Sequence, residues 1–211
     1  MNPSFTTLDG RSVASNPAAV RVNPFRWLQY YPFRPTMLGL MTAGSLILPL
    51  MSGWFWIVPI MLVLAQAIYW RRVTEHFRYG DRNPGLILLT QPLRIATATD
   101  MTTGVGSYPV LKVVQHSFRF RGEAAPVEGE LVATVSLYSG DGSTAPRHWS
   151  DFDPVPILCA TGEREVLSKS LAEFDDASLG LLRHLVRKSA SLEPGLYWFD
   201  PETLEPVPPP S

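Results

Sequence analysis

Four histidines (His76, His116, His148 and His184) and a single cysteine, Cys159, are the side chains best suited to hold a metal or carry nucleophilic chemistry. A structural zinc site needs spacings such as C-x-x-C or H-x-x-x-H, and none of the five falls at one. No metal and no cofactor is therefore expected. Cys159 lies in Ile157-Leu158-Cys159-Ala160 with no neighbouring cation to lower its pKa, so it reads as a small core residue. Gly104-Val105-Gly106 resembles half of a phosphate loop but lacks the Gly-Lys-Ser/Thr ending and a following helix, which leaves a β-turn. The densest polar cluster is Arg147-His148-Trp149-Ser150-Asp151-Phe152-Asp153. In an extended segment Asp151 and Asp153 point one way and His148 with Ser150 the other, so they do not form an acid–base pair and no catalytic residue is assigned. Trp149 and Phe152 from this cluster are taken as a candidate partner surface, against the alternative that they belong to the core.

The elements that would position these residues follow from charge. The chain has 211 residues, 18 Lys+Arg, 19 Asp+Glu and a net charge of −1, which excludes a globally basic nucleic-acid binder. That near-zero total joins two unlike parts. Residues 1–72 carry six Arg against Asp9, whereas residues 73–211 carry 12 basic and 18 acidic residues. From Pro35 to Trp70 there is no charged residue and no histidine. As one helix this run would be about 54 Å long, well beyond a hydrocarbon core of about 30 Å. A break at Met51-Ser52-Gly53 gives two arms, Thr36–Leu50 and Trp54–Trp70, that fit a tight transmembrane hairpin. Pro49 and Pro59 fall inside the arms and favour kinks. Neither arm offers an ionisable group, which argues against a channel or transporter.

The flanks set the expected orientation. Arg26 and Arg34 precede the first arm, Arg71 and Arg72 follow the second, and the turn between is uncharged, so both termini are expected in the cytoplasm. The membrane-interface residues are expected to be Arg26, Trp27, Tyr30, Tyr31, Arg34, Trp54, Trp70, Arg71 and Arg72, with rings at headgroup level and Arg on lipid phosphate. The first 23 residues contain no apolar signal-peptide core. With one cysteine, no disulfide forms within the chain.

Residues 73–200 are read as a β-rich domain after Val73–Tyr79 has carried the second helix onward. The cluster Gly80–Gly85 is read as a turn, followed by strands near 85–90, 93–99, 108–120, 130–138 and 149–160, with Pro154 and Pro156 restricting the last to an edge or bulge. In 130–138 the apolar Leu131, Ala133, Val135 and Leu137 alternate with Val132, Thr134, Ser136 and Tyr138, a half-buried pattern. A helix capped by Asp175 or Asp176 runs to Lys188 with Leu182 and Leu185 on one face, a shorter one covers 163–174, and Leu196–Phe199 returns as a strand. Residues 201–211, with five prolines, read as an extended tail. The expected fold is α+β: an N-terminal arm over 1–34, the transmembrane hairpin over 35–72, then a small antiparallel β-barrel-like or curved sheet with one or two C-terminal helices.

The strings GDRNPG (80–85), SYPVLK (107–112), PVPILCATG (154–162) and PGLYWF (194–199) resemble those of an uncharacterised bacterial family of membrane-anchored domains of unknown function. The resemblance implies a bacterial source and a folded β-rich domain with no assigned reaction. The resulting expectation is a non-enzymatic protein of the bacterial inner membrane. Its cytoplasmic domain docks on a membrane-protein partner as an accessory or assembly subunit, with a homo-oligomer also open and no nucleic acid bound. The alternative is a membrane-tethered enzyme or small-ligand-binding domain with a site at the barrel mouth formed by Asp81, Asp100 or His148, which requires those three to converge.

Overall fold

The computed structural model describes residues 14, 16–50, 52–120, 126–140, 147–189 and 191–210. Most of the N-terminal arm before Asn16, and Met51 of the expected hairpin break, lie outside the described residues. Among the described residues there are five α-helices: α1 Pro24–Tyr30, α2 Phe33–Ser45, α3 Ile57–Tyr79, α4 Arg164–Ala172 and α5 Asp176–Lys188. Seven strands accompany them: β1 Asp81–Thr90, β2 Leu93–Asp100, β3 Pro109–His116, β4 Leu131–Ser139, β5 Asp151–Pro156, β6 Gly195–Phe199 and β7 Pro206–Val207. All strand pairs are antiparallel, in the order β5-β4-β1-β2-β3-β6-β7.

The sheet is open, with β5 and β7 as its edges, and this corrects the barrel expectation. Proline explains both edges. Pro154 and Pro156 deprive β5 of two ladder donors and Pro206 does the same for β7, so neither can take a partner along its full length. The sheet is nevertheless curved. Lys112 on β3 donates from Nζ to Asp151 Oδ1 at 2.7 Å and to the Phe152 carbonyl on β5, although three strands separate β3 from β5.

β1 begins at Asp81, where the sequence suggested a turn through Gly85. Pro84 is tolerated in this central strand because of which side its nitrogen faces. The Arg82 N–H points away from β4 to the Asn16 carbonyl (2.9 Å), and alternation puts the Pro84 nitrogen on that same side, where pairing with β2 starts only at Gly85. The tail also departs from expectation. Asp200 Oδ1 accepts the N–H groups of Glu202 (3.0 Å) and Thr203 (2.8 Å), turning the chain so that Pro206 and Val207 pair with Phe199 and Trp198.

The two faces of the sheet are both buried but chemically different. One face packs Ala96, Ala98, Leu111 and Val113 under Leu182 and Leu185 of α5, the small alanines letting the helix approach closely. Asp175 caps α5 by accepting the Ser178 N–H at 2.7 Å. The other face carries Thr97, Thr134, Ser136 and Tyr138, each at most 6% exposed, so β4 is buried on both sides rather than half-buried. Tyr138 Oη lies 2.7 Å from Thr99 Oγ1 and donates to Asp81 Oδ2 at 3.1 Å, and Thr134 Oγ1 donates to the Asn83 carbonyl at 3.0 Å, while the Ser136 hydroxyl is buried without a hydrogen-bond partner among the described residues.

The apolar run forms a helical pair that projects from this body. α2 is 13 residues and ends at Ser45, before Pro49, which lies in a short 3-10 turn. That is about 20 Å of helix, too short to cross a bilayer by itself. Gly53–Tyr79 forms one 27-residue stretch that is long and apolar enough to cross a membrane by length and composition, and only 6% of its most apolar window is buried. One such helix is present among the described residues, and α2 does not by itself make the second span of the expected hairpin. The second arm does continue through Val73 and Phe77 to Tyr79, as the sequence suggested.

Candidate functional site

The joint between the helical pair and the domain is the most elaborately built region of the molecule. Asn23 accepts at Oδ1 from the N–H groups of Phe25 (3.0 Å) and Arg26 (3.2 Å), and with Pro24 in the first turn it starts α1. The segment before α1 is stitched to the end of α3 and to the loop after β5. Ala18 N–H donates to the Gly80 carbonyl (3.1 Å), Val20 N–H to that of Phe77 (3.0 Å) and Asn23 N–H to that of Ala160 (2.8 Å). Gly80 cannot carry a side chain, since a Cβ there would lie 2.5 Å from the His76 carbonyl and 2.6 Å from Val135 Cγ1.

α1 thereby delivers Trp27 and Tyr30 into a core with Phe77, Val135, Ile157 and Cys159. Trp27 stacks on Tyr31 at 4.3 Å, meets Phe77 edge-on at 5.7 Å and donates from Nε1 to Tyr69 Oη at 2.7 Å. Arg26 lies over the Tyr30 ring at 5.1 Å and donates from Nε to the Leu158 carbonyl at 3.1 Å. Four of the nine expected interface residues, Arg26, Trp27, Tyr30 and Tyr31, are bonded or packed within the protein. Arg34, Arg71, Arg72 and Trp54 (90% exposed) stay on the outside, and Trp70 is half-buried against Tyr69.

Between α1, the lower part of α3 and the sheet lies a cavity of about 1030 Å³. Its walls include Trp27, Tyr31, Tyr69, Val73, Leu137 and Val155, its polar lining includes His76, His116, Glu75 and Asp153, and Arg34, Arg71 and Arg72 also line it. Tyr31 Oη and His116 Nδ1 are 3.5 Å apart. Burial holds the His116 imidazole down at about 4, with Asp153 offsetting only part of the effect. Burial likewise pushes the Tyr31 phenol far up, helped by the negative potential of Cys159 and Asp153. The inner lining is thus neutral imidazole and neutral phenol at ordinary pH, with Asp153 as an exposed carboxylate of β5. Glu75 is taken up by Arg71 at 2.8 Å. Arg34 and Arg72 make no side-chain hydrogen bond or ion pair among the described residues.

The residues singled out for chemistry do not assemble. Asp81 is buried and accepts from Asn16 N–H (2.9 Å) and Tyr138 Oη. Asp100 closes its own loop, accepting from Thr102, Ser107 and Tyr108; burial raises its pKa, but those hydrogen bonds outweigh it and hold the carboxyl below the usual range. The His148 ring bonds at Nδ1 with the Trp149 carbonyl (2.8 Å) and packs on Tyr108 and Trp198. Asp81 and Asp100 also lie on opposite faces of the sheet by register, so the barrel-mouth site is not formed. Trp149 and Phe152 are 6% and 1% exposed, packed with Met101, Val110, Tyr138 and Trp198, so as a partner surface they are corrected to core. Cys159 is buried as expected, and burial pushes its thiol well above the usual value against the pull of Arg26. Among the described residues, no three His, Cys, Asp or Glu side chains gather as metal ligands.

Sequence reasoning missed the cavity because its lining is drawn from six separate elements, α1, α2, α3, β3, β4 and β5. The one available signal was the pair of arginines following Trp70, which marks where the apolar run ends beside its mouth.

No curated protein matches this chain. A crystal structure described as that of "a putative membrane protein from Corynebacterium diphtheriae" is similar at 16% identity and a TM-score of 0.42, covering 53% of this chain and 94% of that one. The family described as "Protein of unknown function (DUF3239)" matches residues 70–189, from the last turns of α3 to the end of α5, and the chain belongs to that family.

Proposed function

We propose that the protein is a non-enzymatic anchor and docking module of the bacterial cytoplasmic membrane. In this reading the α2–α3 pair is embedded in the bilayer, both termini are cytoplasmic, and the domain engages a membrane-protein partner as an accessory or assembly subunit. The observation that carries the reading is the surface of the helical pair. Leu40, Ile47, Leu50, Trp54, Ile60, Met61, Val63, Leu64 and Ile68 are each more than half exposed, which is unfavourable in water and ordinary in lipid. The arginines at both ends of the pair and the uncharged turn between them support the orientation. The stitched joint supports docking, because a domain fixed to its anchor is held at a high effective concentration next to other membrane proteins.

Alkaline carbonate extraction of cells expressing the full chain tests the anchor. The wild type is expected in the pellet, and the double variant Ile60→Arg/Leu64→Arg in the supernatant, since Arg at a span centre costs about 3 kcal/mol. A wild type released by carbonate would overturn the reading. Orientation is read by labelling Gly53→Cys and Gly129→Cys with a membrane-impermeant maleimide, the first expected to react from outside and the second only after lysis. For docking, purification at native level in mild detergent should give a discrete complex of fixed stoichiometry with another membrane protein; recovery as a lone monomer rules docking out.

A further inference from the structure

We infer that the cavity at the joint binds one anionic glycerophospholipid, its phosphate held by Arg34 and Arg72 and an acyl chain lying along the apolar surface of α2 and α3. The inference deepens the membrane reading above and rests on it.

Three observations converge on that ligand. The first is size: about 1030 Å³ is at the upper end of what small-molecule sites occupy, ample for a headgroup with its glycerol. The second is position. The strongly exposed apolar side chains of the pair run from Phe33 to Ile68; Arg34 stands beside the first of them and Arg71 and Arg72 just beyond the last, at the depth where lipid phosphates lie. A ligand in the cavity therefore has water-facing cations at its head and a hydrocarbon surface at its tail. The third is charge. Of the lining groups, Glu75 is paired with Arg71, while Arg34 and Arg72 have no such partner among the described residues. Asp153 is the remaining carboxylate and sits on the sheet side, where it suits a headgroup hydroxyl rather than the phosphate. The aromatic wall, Trp27 stacked on Tyr31 with Tyr69 bonded to Trp27, is fixed in place before any ligand arrives, which lowers the ordering cost of binding. A free phosphate anion would use the arginines but leave the apolar part of the cavity unfilled.

Native mass spectrometry of the full chain, extracted from membranes into mild detergent and titrated with phosphatidylglycerol, phosphatidylcholine or inorganic phosphate, tests this. One phosphatidylglycerol per chain is expected to remain bound in preference to phosphatidylcholine, and inorganic phosphate is expected not to displace it. Arg34→Gln/Arg72→Gln should weaken retention about thirtyfold, the effect of two cations at a lipid surface. Leu137→Trp, which pushes a bulkier ring into the cavity without changing charge, should also weaken it, and both variants should keep the wild-type melting temperature and stay in the carbonate-resistant pellet. Equal retention of the two lipids, displacement by phosphate, or undiminished binding in both variants would overturn the lipid site alone. A wild-type chain recovered in the carbonate supernatant would overturn the anchor as well.

Discussion

Leu64 in α3 and Leu182 in α5 are the same side chain on two helices of one chain, and they are 51% and 0% exposed respectively. The contrast extends to everything around them. α5 has a single apolar stripe, turned onto Ala96 and Leu111, and its remaining surface is charged. The upper part of α3 is apolar all round and is packed only along α2, so its outer surface has no protein to meet. A helix that is apolar on every side lowers its free energy only if the surrounding medium is itself apolar. The domain is therefore stabilised by its own core, while the pair is stabilised by what surrounds it. Phe77 and Ile60, on a single continuous helix, fall on either side of that divide.

The sharpest way to break the comparison is to truncate one residue on each side. Phe77→Ala should destabilise the domain by roughly 3–5 kcal/mol in thermal melts in mild detergent, whereas Ile60→Ala should shift it by less than about 0.5 kcal/mol. Comparable losses from both would mean that the pair belongs to the core. Next in size, Gly80→Ala forces a Cβ against the His76 carbonyl and Val135, and overpacking of this kind costs about 1–3 kcal/mol. An unshifted melting temperature would show that the joint yields easily and that the domain can pivot on its anchor.

Tyr138→Phe tests the polar inner face of the sheet. It removes the hydroxyl shared by Asp81, Thr99 and Asn83 and leaves buried groups unpaired, for a loss of about 1–2 kcal/mol. A further test lies in pH dependence. The folded His116 pKa of about 4 lies below the ordinary 6.5, so between these values the unfolded chain binds more protons than the folded one. Stability should therefore fall as pH drops from about 6.5 to about 4 and should be flat above this window for this group. His116→Phe should remove that component from the melting profile; an unchanged profile would assign the acid sensitivity to other groups.

Much of the fold is legible in local sequence where a single physical rule dominates. α5 starts at Asp176 after its Asp175 cap and ends at Lys188, because an Asx cap, an apolar stripe and terminal cations all agree. The cores of β2, β3 and β4 were recoverable from β-branched runs bounded by turns. Pro84 and Gly85 read locally as a turn, although β1 runs through both, and only the position of the Asn16 carbonyl and the start of β2 explains why a strand tolerates them. Trp149 and Phe152 show the same limit at the level of sites. An aromatic residue beside charges has the composition of an interface anchor, and nothing local says whether Met101 and Trp198 will fold over it.

What the sequence determined by itself is the partition of the chain: a 36-residue stretch without charge, arginines at both ends, and an acidic β-rich remainder. Burial energy scales with composition, so composition alone separates a segment that seeks apolar surroundings from one that can build a core. Only the tertiary structure decided which aromatics of α1 turn inward, that the curved sheet stays open, and that a cavity forms where the anchor meets the domain. Those outcomes depend on residues far apart in sequence meeting at one place, as Trp27 meets Phe77 and Tyr31 meets His116, and no local pattern carries that information.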